Sequence, residues 1–303
     1  MIKPERHSWL RALTALKGTA FRWIWRRLLV VVGVATLVTV LHLELHLFEA
    51  NLTTTPFTLI GLALSIFLGF RNNTSYDRFW EGRKLWGALV NTSRSVTRQI
   101  LTLVETRDEA TKRELVYRVI AYVHALRLHL RDDPADIDLR ELLPPGDLAA
   151  LAIEENRPIA ILQKLGDRFR ALHDAGAIHA FHLPVLEASL GAMTDIQGGC
   201  ERIKSTPIPY SYTVLIHRIV AIYCFFLPFG LVGTIGFYTP LVVALVSYAF
   251  FGLDAVGDQI EDPFGLDAND LPLSLLCRII EANLRQRLGE TELPEMPTGP
   301  ILT

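Results

Sequence analysis

The sequence has little cysteine, no strong excess of either charge and none of the common catalytic motifs. Its three cysteines, Cys200, Cys224 and Cys277, are widely spaced, so they predict neither a disulfide framework nor a zinc site. The formal net charge is −2, and no basic patch with interleaved aromatic residues occurs, which argues against nucleic acid as a partner. Nucleophile elbows, HExxH sequences, P-loops and dinucleotide-binding motifs are also missing. We therefore expect neither an enzyme nor a required cofactor.

Long apolar runs are abundant instead. Half of the 303 residues are hydrophobic, and they collect in runs that approach the roughly 20 residues a bilayer helix needs. A cleaved signal peptide is the competing explanation for the first run, but no clean small-residue cleavage site follows it. We predict an all-α integral membrane protein with four transmembrane helices and a large helical cytoplasmic region, the helices lying at about 22–48, 56–71, 212–237 and 239–257.

The charges of the connecting segments predict the orientation. Lys and Arg are frequent before the first run and between the second and third, whereas the loops 42–56 and 237–240 contain none. The positive-inside rule then assigns both termini and the middle segment to the cytoplasm. The chain then divides into four parts. Residues 1–84 contain the N-terminal segment and the first two spans, and residues 85–210 form the cytoplasmic helical region. Residues 211–257 contain the last two spans, and residues 258–303 form an acidic turn, a final helix and a tail.

The second apolar run carries two neighbouring stripes with a spacing of four residues. One stripe is large and apolar, consisting of Leu62, Ile66 and Phe70, and such side chains can form a dewetting constriction in a channel. The other consists of small residues, which allow helices to approach closely in a membrane: Gly61, Ser65 and Gly69. Periodicity alone leaves a pore wall and a lipid-facing or bundle-core face equally favoured.

Two further groups of polar residues accompany the spans. His217 and Arg218 begin the third run, where ionisable groups are costly and often functional; snorkelling of both side chains to the interface is the simpler explanation and the one we favour. The stretch 254–270, which begins in the last residues of the fourth run and continues beyond it, is crowded with carboxylates, which suit hard cations such as calcium. Its spacing fits no EF-hand, so a charged cytoplasmic surface is the alternative.

Three segments together resemble the bestrophin family in its bacterial branch. They are SIFLGFRNNTSYDRFWEGRKLWG (65–87), GCERIKSTPIPYSYTVLIHR (199–218) and GDQIEDPFGLDAND (257–270). The resemblance implies a homopentamer around a central pore. It also implies that Leu62, Ile66 and Phe70 form a hydrophobic neck, and that a second, cytoplasmic constriction lies near Pro184. Counting back from Cys200, Val185 is the first choice for that constriction and Leu183 the second.

The calcium clasp of the animal members carries over less completely. Its carbonyl positions match Gln259 and Asp262, and two of its acidic side chains match Asp267 and Asp270. The acidic run between those two is thinned here to Ala268 and Asn269. These four residues form a candidate cation-binding clasp, and the departure argues against calcium gating.

The leading hypothesis is a channel for small monovalent ions in the cell membrane, the inner membrane in a bacterium, with lipid, permeant ions and its own copies as partners. Selectivity for anions such as chloride or for sodium and potassium stays open, because the neck offers no charge that decides it. The alternative is a non-conducting membrane scaffold or sensor that binds a cytoplasmic partner. A secondary transporter is less favoured, since the runs show no inverted repeat.

Overall fold

A computed structural model describes residues 18–44, 53–134 and 137–297. Within these ranges the fold is helical, as predicted, with no strand longer than a single bridge between Val104 and Ile178. The helices are α1 Phe21–Leu43, α2 Thr55–Leu103, α3 Glu109–Leu130, α4 Ile137–Arg140, α5 Pro145–Leu151, α6 Arg157–Asp174, α7 Leu183–Ser205, α8 Tyr210–Ile235, α9 Thr239–Glu261 and α10 Leu273–Arg287, with a 3-10 turn at Gly236–Tyr238. The predicted end of the first span, 45–48, lies outside the described residues.

The chain divides into two compact units. The apolar unit contains the described residues up to Phe79 together with 207–262, and the polar unit contains 80–206 together with the described residues from Pro263 onward. Helix α2 contributes its first half to the apolar unit and its second half to the polar unit.

The apolar unit packs α1, the first half of α2, α8 and α9 around one core. Helix α8 ends at Gly236, whose φ of +50° is strained for any other residue. The chain then reverses and α9 packs against α8, where the rings of Tyr223 and Phe250 lie 5.3 Å apart. The core consists of buried side chains from all four helices, among them Ile24, Val31, Leu64, Leu68, Val220, Cys224, Val243 and Phe251.

Three stretches are long and apolar enough to cross a membrane by length and composition: Phe21–Leu43, Thr55–Leu103 and Tyr210–Glu261. The third contains the antiparallel pair α8 and α9, which are 26 and 23 residues long. Each of these two helices exceeds the roughly 20 residues that a bilayer helix needs. The second stretch runs unbroken from Thr55 into the polar unit, as the missing prolines predict.

The polar unit is organised around α3, which is buried along most of its length. Tyr122 on this helix is fully buried and donates a hydrogen bond to the carbonyl oxygen of Met193 at 2.8 Å. His124 lies 3.0 Å from the buried carboxylate of Glu281 on α10. Burial opposes ionisation of Glu281, but the hydrogen bond and charge of His124, together with Arg278, lower the pKa of Glu281 to about 2.

The phenylalanine of the third resembling segment packs against a glycine of the first. Phe264 is fully buried in the polar unit and packs against Gly82. A Cβ atom at position 82 would meet the Phe264 ring at 3.1 Å, which is tighter than ordinary packing. The glycine in the first resembling segment therefore accommodates the phenylalanine in the third.

Candidate functional site

The predicted neck residues form one exposed face of α2. Leu62, Ile66 and Phe70 are 62%, 51% and 61% exposed in the single chain. The side of the helix that packs into the apolar unit carries Leu64 and Leu68, which are 3% and 0% exposed. The three large apolar side chains therefore point away from the subunit's own core, as a surface facing another copy, a pore or lipid would require.

The small-residue strip does not act as one surface. A Cβ atom at Gly61 would lie 2.6 Å from the hydroxyl of Tyr223, so this glycine accommodates a contact within the subunit. Ser65 donates its hydroxyl hydrogen to the carbonyl of Gly61 at 2.7 Å. Around Gly69, no described atom outside its own helix backbone lies within 4 Å of such a Cβ. The strip thus splits into a packed end and an open end.

Polar residues continue the neck face toward the end of the apolar unit. Asn73 and Asp77 follow Phe70 at intervals of three and four residues, which keeps them on the same side of the helix. Both side chains are exposed. Asp77 therefore brings a carboxylate to this face about 10 Å beyond Phe70 along the helix axis, given the rise of an α-helix.

The candidate cytoplasmic constriction lies at the start of α7, where Pro184 occupies the first turn as predicted. Val185 is 44% exposed and lines an open groove of about 590 Å³ with residues of α2 that include Asn91, Ser95 and Arg98. The two helices are joined there by the Ser189 hydroxyl, which donates to Oε1 of Gln99 at 2.9 Å. Leu183 is half-buried and does not line the groove. Which of the two residues forms a constriction stays a prediction.

The four clasp residues are divided between the two units. Gln259 lies in the last turn of α9 and Asp262 follows that helix, both in the apolar unit, whereas Asp267 and Asp270 share a turn in the polar unit. In that turn the backbone amide of Asp267 donates to Oδ2 of the buried Asp270 at 2.7 Å, and the amide of Asp270 donates to the carbonyl of Asp267 at 3.1 Å. Protein groups therefore close this turn by themselves, and a role of these residues in cation binding stays a prediction.

A buried ionic cluster lies directly behind the neck face. Arg71 is fully buried, and its guanidinium donates to Oδ1 of Asp254 at 2.8 Å and to the carboxylate of Asp258. Asp254 is also buried, and its second oxygen lies 2.7 Å from Nδ1 of His217. Arg27 on α1 approaches the same carboxylate at 3.8 Å. Four helices of the apolar unit thus meet at one carboxylate.

The cluster also bears on the interpretation of His217. The ligating atoms of His217, Asp254 and Asp258 lie within 4.8 Å of one another, a spacing that a metal ion could bridge. The guanidinium of Arg71 already pairs with both carboxylates, however, so we interpret the group as an ion-pair network and not as a metal site. His217 contacts Asp254 and does not simply reach for the interface, while Arg218 is exposed. This network was not predicted from the sequence; the aspartate inside the fourth apolar run is the signal that could have indicated it.

The sequence and the helical fold match a known protein family. A family model for bacterial and fungal bestrophin proteins matches residues 1–286. The chain belongs to this family, and the resemblance found in the sequence is confirmed.

Named relatives and solved structures agree with this assignment. A protein of Ralstonia nicotianae named as a voltage-dependent anion channel-forming protein is 43% identical over 97% of this chain and 96% of its own length. The YneE protein of Escherichia coli, named in the same way, is 37% identical over 97% and 96% of the two chains. The crystal structure of a bacterial bestrophin homologue from Klebsiella pneumoniae superposes with a TM-score of 0.84 at 35% identity, covering 89% of this chain and 100% of that one.

Proposed function

We propose that this protein is an oligomeric ion channel, a homopentamer in which the α2 helices of the subunits surround one central pore. The observation that carries the proposal is the exposed face of Leu62, Ile66 and Phe70, opposite the packed side of the same helix. A large apolar face that points away from the subunit's core is typical of a surface that is covered or that lines a channel. A ring of such side chains can gate a pore by dewetting.

The membrane arrangement we propose has four spans per subunit. Helices α1, the first half of α2, α8 and α9 supply them, since α8 and α9 run antiparallel and each is long enough to cross. The basic residues flanking these helices assign both termini and the polar unit to the cytoplasm. The protein would then reside in the cell membrane, with lipid around its outer surface.

Two observations favour opposite ion selectivities. Relatives are named as anion channel-forming proteins. The exposed carboxylate of Asp77 on the neck face would form a ring of negative charge in an oligomer, and such rings favour cations. A reversal potential measured in asymmetric salt decides between chloride and sodium or potassium.

The test of the channel itself is ion flux from liposomes that contain the purified protein. Phe70→Ala and Ile66→Ala should each raise the flux, because both remove apolar bulk from the constriction. Phe67→Ala is the matched control. Phe67 is 53% exposed, much like Phe70, but it lies about 100° around the helix from the centre of the neck face.

The outcomes separate the competing functions. If Phe67→Ala changes the flux as much as Phe70→Ala does, the neck assignment fails. If the folded, oligomeric protein passes neither chloride nor monovalent cations, the protein is better described as a non-conducting scaffold or sensor with a cytoplasmic partner. Saturable uptake coupled to a second ion would indicate a transporter.

A further inference from the structure

A pocket in the polar unit, unconnected with the clasp or the neck, has the composition of an anion site. It has a volume of about 440 Å³ and lies between the last turns of α2 and the end of α10. Pockets that bind small molecules usually measure roughly 300–1,000 Å³. The side chains that matter for its chemistry are Arg94, Thr97, Arg98, Leu101, Leu284 and Arg287.

The pocket concentrates positive charge that the described chain does not neutralise. Arg94 donates from Nε and Nη2 to Oδ1 of Asn283, at 3.0 and 2.6 Å, and this partner is an uncharged amide. Arg98 and Arg287 form no ion pair with any residue that the structure describes. None of the described side chains that line the pocket is acidic. Three guanidiniums facing one space without a carboxylate favour binding of an anion.

A buried hydroxyl group in the same pocket has no partner. Thr97 is fully buried and lines the pocket, and its Oγ1 makes no hydrogen bond within the described structure. Leaving a buried hydroxyl unpaired is costly, and such groups in native proteins usually meet a ligand, an ion or water. An oxygen atom of a bound anion would accept the hydrogen of this hydroxyl. The observation is independent of the arginines, and Thr97 belongs to the lining of the same pocket.

The pocket also has an apolar surface. Leu284 is 1% exposed, and Leu101 is half-buried beside it on α2. Hydrated inorganic anions gain nothing from such a surface, whereas an organic anion buries its carbon skeleton there. The composition therefore fits a ligand with an acidic head and an apolar body.

We propose that this pocket binds a small, soluble organic oxyanion, a phosphate ester or a carboxylate. Arg98 and Arg287 would pair with its charge, Thr97 would donate a hydrogen bond to one of its oxygens, and Leu101 and Leu284 would contact its apolar part. None of these residues lies on the neck face, although Arg98 also lines the groove beside Val185. The binding experiment measures no ion flux, so its failure is distinguishable from a failure of the proposed channel activity.

Phenyl phosphate is a suitable probe, and the experiment measures its binding to the full-length protein by calorimetry. The protein is purified in a neutral detergent without added lipid, at low salt to limit screening. Phenyl phosphate should bind with a Kd of about 1 mM or tighter, and more tightly than inorganic phosphate. The uncharged analogue benzyl alcohol should bind far more weakly than either anion.

Substitutions then test each contact. The double variant Arg98→Gln, Arg287→Gln should weaken phenyl phosphate binding by at least about tenfold. Thr97→Val should weaken it by about tenfold or more, as the loss of a hydrogen bond to a charged ligand predicts. Arg107→Gln is the matched control, since it removes one exposed arginine of the same unit outside the pocket. If the double variant does not fold, the single variant Arg287→Gln carries the same test.

Several results would overturn the proposal. Equal affinity of the wild type and the folded double variant would remove the arginines from the site. Equal affinity for benzyl alcohol and phenyl phosphate would show that charge plays no part. Absence of phenyl phosphate binding, combined with binding of phosphatidylglycerol in mixed detergent micelles that the double variant loses, would assign the pocket to a lipid headgroup instead of a soluble anion.

Discussion

The buried ion pair between Arg71 and Asp254 makes a quantitative prediction. Both side chains are at most 1% exposed, and their charged atoms are 2.8 Å apart. Arg71→Met keeps the approximate length of the side chain and removes its charge. Asp254 then loses its buried guanidinium partner and keeps only His217 and the more distant Arg27. Breaking a buried pair by removing one partner costs about 3–5 kcal/mol, because the other charge is left buried without compensation.

The measurement is the free energy of unfolding of the purified protein in detergent, from a denaturant titration followed by helical circular dichroism. Arg71→Met should lower it by about 3–5 kcal/mol. Adding Asp254→Asn should restore part of the loss, because the uncompensated charge is gone. Arg218→Met is the control: Arg218 lies on α8 of the same unit and is exposed, so its replacement should change stability by less than about 0.5 kcal/mol.

Two results would refute this reasoning. A loss below about 1 kcal/mol for Arg71→Met would show that the other groups of the cluster, or penetrating water, already compensate Asp254. An equal loss for Arg218→Met would show that any cation in this unit matters to the same extent. Either outcome would remove the cluster as a specific stabilising element.

Three shorter predictions follow from other parts of the molecule. The pKa of Glu281 is lowered from 4.5 to about 2, which corresponds to about 3 kcal/mol of stabilisation of the folded protein. This contribution is complete above pH 4.5 and is lost as the pH falls through about 2. Glu281→Gln should therefore lower the free energy of unfolding at about pH 7 and make it depend less on pH in the acid range. Asp77→Asn should shift the reversal potential toward anion permeation if Asp77 lines the pore, and an unchanged potential would place Asp77 away from the ion path. Chelation of calcium should leave the liposome flux unchanged, because protein groups close the turn at Asp270; a chelator-sensitive flux would restore the calcium clasp.

Much of the fold was predictable from local sequence. The four apolar runs correspond to helices because length and hydrophobicity act over neighbouring residues, and Pro184 marked the start of α7 because proline suits a first helical turn. The neck face was predictable only in part. A spacing of four residues puts Leu62, Ile66 and Phe70 on one side of a helix, but it does not tell which side faces the core. The structure supplies that information through the burial of Leu64 and Leu68.

Contacts between segments far apart in the chain could not be predicted from the sequence. Arg71 and Asp254 are 183 residues apart, and nothing in the local pattern around either one indicates the other. The anion pocket has the same origin, since Arg98 and Arg287 come from two helices that the chain brings together only on folding. A charged residue in or next to an apolar run is the one local signal of such pairs, because a charge of this kind requires a partner.

The ion pairs of Arg71 also explain why the neighbouring Phe70 side chain points away from the core. Neighbouring residues on an α-helix point about 100° apart, so a rotation of α2 that buried Phe70 would turn Arg71 away from its partners. The carboxylates of Asp254 and Asp258 oppose this rotation, because Arg71 would lose two charged hydrogen bonds and Asp254 would stay buried. Packing of Leu64 and Leu68 alone would tolerate small rotations, since apolar contacts are not directional. The ion pairs of Arg71 are directional, and they therefore hold α2 in the rotation that turns Leu62, Ile66 and Phe70 away from the subunit's core.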